Sequence, residues 1–251
     1  LTLPAEDVTD ALAALDHAQQ GSKGDRSGAA SRSSYGKKSS SGVELRLLAG
    51  SGASNVFVAM DESVSWAITK GLEKRLEAQA SGYKQPALSA LFLLNNYHHI
   101  AQSVARTTVK REAFHSHLEA NVQRARHLYL DATWSKLLQN INLSDKDSIL
   151  SQCTPTNVPT KAKNAIKKMF SSFNSGFVAL VAQHSHYSVP DANLRGQLRA
   201  DHIDIILPRY KAFMDTYAQL PFTTKPSKYI MFKVEVLEST IGKFYDEIDE
   251  G

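Results

Sequence analysis

Residues 86–105 read PALSALFLLNNYHHIAQSVA, and this stretch decides the fold. Pro86 suits the first turn of a helix, where the missing backbone N–H costs no hydrogen bond. The side chains that follow are apolar almost all round through Leu94, which is typical of a helix buried on every side. The stretch therefore predicts a central helix that is surrounded by other helices.

The stretches on either side repeat apolar residues at helical spacing. Residues 54–80, about 108–141 and about 160 onward all place them every three or four positions. The apolar positions are Phe57, Met60, Val64, Ile68, Leu72 and Leu76 in the first stretch, Phe114, Leu118, Val122, Leu128, Trp134 and Leu138 in the second, and Phe170, Phe173, Phe177 and Val181 in the third. Each stretch predicts one long helix, and residues 142–159 between them predict a connector.

The C-terminal part predicts two more helices. Pro190 opens the first of them, and Pro208 is expected to kink it because proline removes a backbone donor and clashes with the preceding turn. A final helix is expected from about Val234 to Ile248. No segment alternates apolar and polar residues with period two, so the fold class is all-α, built from stacked antiparallel helices.

Residues 1–50 differ from the rest of the chain. Residues 5–19 predict a short amphipathic helix, whereas residues 21–42 hold eight serines and five glycines. The latter stretch cannot bury enough apolar surface to offset its ordering entropy, so we expect a disordered loop. We expect one helical bundle in 51–155 and a second in 156–251. The chain begins at Leu1 without an initiator methionine, and we expect a longer parent protein.

The bulk composition narrows the class of protein. Hydrophobic residues make up 42% of the chain, which is enough for a sizeable core. The single Cys153 forms no internal disulfide, and a reducing, cytoplasmic setting is the default. No apolar run approaches the roughly 20 residues that span a bilayer. Any membrane contact is therefore expected to be peripheral.

Sequence motifs for catalysis or metal binding are missing. There is no P-loop, HExxH motif or nucleophile elbow, and Gly50-Ser51-Gly52 lacks the third glycine and the preceding strand of a dinucleotide fingerprint. Adjacent histidines such as His98 and His99 diverge by about 100° around a helix, too far to share an ion easily. The sequence predicts no catalytic residue, no metal and no cofactor, and hence no enzyme.

The charge distribution carries the functional signal. Between Lys161 and Lys233 there are eleven basic residues and four acidic ones, a net charge of +7 over 73 residues. A basic zone on an anionic membrane gains about 1 kcal/mol per cationic side chain near the surface. An ordinary solvated surface is the alternative interpretation of the same residues.

The loop 222–233, FTTKPSKYIMFK, helps to choose between these two interpretations. Pro226 within the loop and Pro221 just before it stiffen the backbone, and lysines project from it, while Tyr229, Ile230 and Phe232 are expected to anchor its base in the core. Such a loop suits contact with lipid headgroups, and it also suits a purely structural connector.

Four stretches resemble a known family. They occur in order across residues 86–232 and read PALSALFLLNNYHHI (86–100), KKMFSSFNSGF (167–177), SVPDANLRGQLR (188–199) and PFTTKPSKYIMF (221–232). They resemble the C-terminal part of the exo-seventy subunit of the exocyst complex. The resemblance implies an elongated stack of antiparallel helical bundles, the C-terminal part of a helical rod.

The resemblance also implies a function. It implies a subunit that tethers secretory vesicles to the plasma membrane in exocytosis and binds phosphatidylinositol 4,5-bisphosphate through a basic C-terminal surface. Other exocyst subunits and a Rho-family small GTPase are the implied protein partners. The implied location is cytoplasmic and peripheral at the plasma membrane, at sites of secretion.

Matching residues give the expected lipid contacts. Lys228 matches the first lysine of the family's K-Y-I-K contact, but Met231 stands where the second lysine is usual. Lys225 is displaced by one position from the family's usual lysine, and Lys233 is expected to supply the missing charge. The predicted lipid-binding set is Lys225, Lys228 and Lys233, assisted by Lys167, Lys168 and Arg209.

Two other functions are open from the sequence. One is a helical protein-binding scaffold without direct lipid contact, whose basic zone serves an acidic partner. The other is a nucleic-acid binder, suggested by the basic pI of about 9.0. The second ranks lower because Tyr229 and Phe232 are expected to be core anchors and not stacking platforms for bases, and no nucleic-acid partner is predicted.

Overall fold

The computed structural model describes residues 52–105, 112–154 and 156–246, which form helices and turns without a strand. The helices are α1 (Gly52–Ala80), α2 (Pro86–Ala105), α3 (Glu112–Gln139), α4 (Lys146–Leu150), α5 (Thr160–His184), α6 (Ala192–Tyr217) and α7 (Val234–Ile241), with a 3₁₀-helix at Pro226–Lys228. This confirms the all-α class. In the same residues, no helix is long and apolar enough to cross a membrane.

Helix α2 is the central helix that its sequence predicts. Ten of its 20 residues are buried, and it packs most extensively against α3. Its N-terminal half contributes Leu91 and Leu94 to the core, and its C-terminal half contributes Tyr97 and Ile100. The bounds Pro86–Ala105 are those expected from the sequence, because proline defines the start.

Helix α3 departs from its predicted apolar stripe at one position. Leu128 is 49% exposed, whereas Tyr129 is fully buried. Successive residues are about 100° apart on a helix, and Tyr129 continues the face of Leu118, Val122 and Ala125. The face toward α6 carries Trp134, which is buried there.

Glu73 joins α1 to α3 through hydrogen bonds. Its carboxylate accepts from Lys70 Nζ at 2.8 Å, from Asn121 Nδ2 at 2.7 Å and from His117 Nε2 at 2.5 Å. Burial alone would raise the pKa of Glu73, but the hydrogen bonds from Lys70 and His117 outweigh it and lower the pKa. The carboxylate is thus charged and satisfied in the contact between the two helices.

The structure corrects two expectations in the C-terminal half. The connector 142–159 contains the short helix α4. Helix α6 includes Pro208 and continues to Tyr217 as one helix, and the expected kink at Pro208 stays a prediction. Pro208 has no N–H to donate to the carbonyl of Asp204, one turn earlier in the helix. Helix α7 ends at Ile241 and not near 248, because the chain then turns to bury Phe244 and Tyr245.

Several predictions fall outside these residues or are untested by them. The helix expected at 5–19 and the loop expected at 21–42 lie outside the described residues. The division into bundles at 51–155 and 156–251 stays a prediction.

Candidate functional site

Aromatic packing attaches the loop 222–233 to α5. The buried ring of Phe222 stacks on Phe170 of α5, with centroids 5.3 Å apart and planes 4° apart. Tyr229 meets Phe222 edge-on at 6.0 Å, and Phe232 meets Phe177 edge-on at 5.0 Å. Tyr229 and Phe232 are half-buried and pack against the core, which confirms the expected anchoring.

Two hydrogen bonds fix the backbone of the same loop. Asn174 Nδ2 donates to the Tyr229 carbonyl at 2.7 Å, and the Tyr210 hydroxyl donates to the Phe232 carbonyl at 2.6 Å. Asn174 belongs to α5 and Tyr210 to α6, so both helices hold the loop. Because rings and carbonyls are both fixed, the loop is preorganised before it meets any partner.

The 3₁₀-helix places two of the predicted lysines at its ends. Lys225 precedes Pro226 and Lys228 is the last residue of the turn, with the Lys228 N–H donating to the Lys225 carbonyl at 3.2 Å. Both side chains are exposed. The turn thus presents two cations from one rigid segment.

Helix α5 brings a third cation to this segment. Lys167 Nζ lies 5.9 Å from the centroid of the Tyr229 ring, and Lys228 Nζ lies 5.8 Å from the same centroid. Both distances are within the range of a cation–π interaction. The two ammonium groups are therefore no further apart than the sum of these distances, although their residues are far apart in sequence.

The other three predicted cations lie on separate elements. Lys168 is exposed on α5, Arg209 is exposed on α6, and Lys233 is exposed at the N-cap position of α7. In the residues that the structure describes, no hydrogen bond or cation–π contact joins the side chain of Lys168, Arg209 or Lys233 to Tyr229. The structure brings together Lys167, Lys228 and, through the turn, Lys225.

The predicted cations share a lack of carboxylate partners. Over residues 52–105, 112–154 and 156–246, none of the six forms an ion pair. Other basic residues of the zone do have partners. Arg199 donates to the Phe244 carbonyl at 2.8 Å and pairs with Asp246, and Arg195 donates to the Val189 carbonyl at 3.2 Å. Two of the eleven basic residues counted between Lys161 and Lys233, Arg195 and Arg199, therefore stabilise the fold.

A buried cluster around two histidines has no counterpart among the sequence motifs. Trp134 Nε1 donates to His202 Nδ1 at 2.8 Å, so neutral His202 carries its proton on Nε2 and donates to the Tyr245 hydroxyl at 2.6 Å. Tyr245 in turn lies 2.5 Å from the Tyr129 hydroxyl. The residues are far apart in sequence, and only the fold reveals their contact.

The second histidine of this cluster is His184, whose ring meets that of His202 edge-on with centroids 5.6 Å apart, and burial keeps both histidines neutral. It lowers the pKa of His202 well below its ordinary value, and it lowers the pKa of His184 to about 4. Among the described residues there is no group of three or more side chains suited to hold a metal. The cluster joins α3 and α6 to residues 242–245, the turn that follows α7 and is called the C-terminal turn below.

The candidate cations lie outside a cleft that the described residues form. That cleft, of about 360 Å³, lies between the start of α2, α3 and α5, and its polar lining includes Thr133, Lys136 and Gln183. None of the six cations lines it. Five of the six cations are exposed, so the candidate site is a surface that suits a broad anionic partner more than an enclosed small molecule.

Comparisons with known proteins agree in pointing to one family. The family described as the C-terminal part of the Exo70 exocyst complex subunit matches residues 32–243. Exocyst complex component EXO70A1 of Arabidopsis thaliana is 30% identical over 189 residues, which cover 73% of this chain and 30% of that protein. Exocyst complex component 7 of Homo sapiens is 28% identical over 191 residues, covering 70% of this chain and 24% of that protein.

The solved structures agree with the sequence comparisons. A structure of S. cerevisiae Exo70 aligns with a TM-score of 0.53 and 25% identity, over 65% of this chain and 29% of that chain. The chain therefore spans less than a third of the length of these relatives. Because the family match covers most of the chain and includes residues 86–232, this protein belongs to the Exo70 family of exocyst subunits and corresponds to its C-terminal part.

Proposed function

We propose that this chain acts in exocytosis as the C-terminal part of an exocyst subunit that tethers secretory vesicles to the plasma membrane. Its membrane contact is phosphatidylinositol 4,5-bisphosphate, bound by Lys225, Lys228 and Lys233 with assistance from Lys167, Lys168 and Arg209. The observation that carries the proposal is the set of cations without carboxylate partners around a loop that aromatic rings anchor.

Because several lysines contribute to the binding free energy together, a headgroup with several negative charges should bind more tightly than one with a single charge. A lysine near an anionic membrane surface contributes about 1 kcal/mol, so three loop lysines together contribute about a hundredfold in affinity. The fixed loop backbone adds to this, because little conformational freedom is lost on binding. Lys167 and Lys228, both near the ring of Tyr229, form the centre of the site.

The remaining elements of the proposal follow from family membership. Other exocyst subunits and a Rho-family small GTPase are the proposed protein partners. The proposed location is the cytoplasm, with peripheral attachment to the plasma membrane at sites of secretion. The role is that of a tether, not of an enzyme, and it needs no cofactor.

The first test replaces the three loop lysines. In the variant Lys225→Glu/Lys228→Glu/Lys233→Glu, binding to vesicles that contain phosphatidylinositol 4,5-bisphosphate should weaken at least about a hundredfold. The melting temperature should change little, because all three side chains are exposed and form no ion pair in the described structure, and an exposed cation–π contact such as that of Lys228 with Tyr229 contributes at most about 1 kcal/mol. Co-sedimentation with vesicles and a thermal melt measure both.

A charge-matched variant controls for net charge. Lys74→Glu/Lys84→Glu/Lys136→Glu changes three exposed lysines on other parts of the fold by the same amount. This variant should retain most of the vesicle affinity. If the folded loop variant instead binds the vesicles as tightly as the unsubstituted chain, the lipid contact is wrong, and the protein-binding scaffold becomes the better function.

A further inference from the structure

Met231 is an exposed apolar side chain within the basic loop. It is 55% exposed, although its neighbours Ile230 and Phe232 are half-buried and pack against the core. Met231 therefore projects away from the core that Phe232 contacts, between Lys228 and Lys233.

We propose that Met231 inserts into the bilayer below the headgroups that the surrounding lysines bind. This inference rests on the proposed function and adds an apolar contact to a site described so far by charge alone. A methionine side chain is unbranched and flexible, so it adapts to the irregular boundary between headgroups and acyl chains. Val236 of α7, which is 47% exposed and lies three residues after Lys233, offers a second apolar side chain at the same end.

The order of the side chains suits a membrane. A bilayer presents anionic headgroups at its surface and acyl chains beneath them, and the loop carries Lys228 and Lys233 on either side of the exposed Met231 in the sequence. Glu235 is the single carboxylate between Pro221 and Val236, so the segment is basic. An acidic protein groove would satisfy the lysines, but an exposed methionine gains most where water is excluded.

The expected contribution of Met231 differs from that of the lysines in its response to salt. Removing the exposed part of the side chain from water corresponds to about a fivefold gain in affinity. This gain is insensitive to ionic strength, whereas exposed charges are screened beyond about 10 Å at 0.1 M salt. Salt therefore separates the two contributions.

The test compares three substitutions at this position on vesicles that contain phosphatidylinositol 4,5-bisphosphate. Met231→Ser should weaken binding about fivefold at both low and high salt, and Met231→Leu should preserve it. Met231→Lys should bind as tightly or more tightly at low salt and lose affinity more steeply as salt rises. A folded Met231→Ser variant with unchanged affinity at both salt concentrations would overturn the proposal.

A depth measurement separates insertion from an indirect effect. In a Cys153→Ser background, Met231→Cys carries an environment-sensitive fluorophore, and the exposed Ser81→Cys carries it in the control. With brominated acyl chains, fluorescence should be quenched at position 231 and not at position 81. If the chain binds the vesicles but the label at position 231 is not quenched, the proposed insertion of Met231 is wrong, whereas the proposed lipid contacts of the lysines are unaffected. A chain that does not bind the vesicles at any salt concentration would overturn both proposals.

Discussion

At the scale of single residues, the basic side chains of the C-terminal part divide by what they contact. Arg195 and Arg199 donate to backbone carbonyls, so their charges serve the fold. Lys225 and Lys228 contact no carboxylate in the described part of the chain, and their charges are available to a partner. The net charge of a segment does not show which cations have partners within the fold. That depends on which carboxylates and backbone carbonyls the fold brings close to each cation.

The buried His184 predicts a dependence of stability on pH. Burial lowers its pKa from the ordinary 6.5 to about 4 in the folded protein. The unfolded chain therefore takes up the proton near pH 6.5, whereas the folded chain takes it up near pH 4. Stability is fully present above pH 6.5 and falls by about 3 kcal/mol as the pH drops to 4.

Urea unfolding at several pH values tests this prediction. In His184→Phe, the loss of stability between pH 7 and pH 4 should be smaller by about that amount, while the buried His202 still contributes its own share. His99→Gln, at an exposed position of α2, should leave the profile unchanged. An equally steep profile in His184→Phe would show that the proton is taken up elsewhere.

At the scale of elements, the start of α6 is fixed by a single carboxylate. Asp191 is its N-cap and accepts the Leu194 N–H at 2.7 Å. Gln102 Nε2 of α2 donates to the same carboxylate at 3.1 Å, so the cap also joins two helices. The backbone hydrogen bond from Leu194 is the main reason why the pKa of Asp191 is lowered.

Loss of this cap should be measurable. Asp191→Ala should reduce the free energy of unfolding by about 1–2 kcal/mol, since the N-cap bond and the contact with Gln102 disappear together. Asp204→Ala, at an exposed position inside α6, removes a carboxylate without a cap and should change stability by less than about 0.5 kcal/mol. Chemical denaturation of the two variants gives the comparison, and equal stabilities would refute the capping role.

The elements also show how far the sequence predicts the structure. Periodicity and prolines predict α2 and α5 closely, because apolar spacing and the proline at the start act locally. They predict the end of α7 wrongly. The helix ends at Ile241 because the following residues, Phe244 and Tyr245, are buried in a core that helices distant in sequence form. The six cations are identifiable in the sequence. That Lys167 and Lys228 both lie near the ring of Tyr229 depends on how the loop packs on α5, which the sequence does not show.

At the scale of the whole molecule, the C-terminal turn joins helices that are far apart in sequence. The Tyr245 hydroxyl contacts Tyr129 of α3 and His202 of α6, and the ring of Phe244 stacks on His184 of α5 with centroids 4.6 Å apart. Tyr245 has a φ of 65°, a left-handed conformation that is unfavourable for tyrosine. The packing around the ring therefore offsets a local backbone cost.

The double variant Phe244→Ala/Tyr245→Ala should lose this connection between α3, α5 and α6. Truncating a buried aromatic residue costs about 3–5 kcal/mol. Two such losses approach the roughly 5–15 kcal/mol that stabilises a whole domain, so we expect a large fall in the melting temperature and a less cooperative transition. Circular dichroism during heating, with urea unfolding beside it, measures both.

Asp246→Asn is the matched control for the double variant. It removes the exposed ion pair with Arg199 but leaves both rings in place, and an exposed pair contributes at most about 1 kcal/mol. If the double variant melted within a few degrees of this control, Phe244 and Tyr245 would be peripheral to the fold. The packing of the C-terminal segment on the other helices would then depend on α7 alone, whose buried side chains are Leu237 and Ile241.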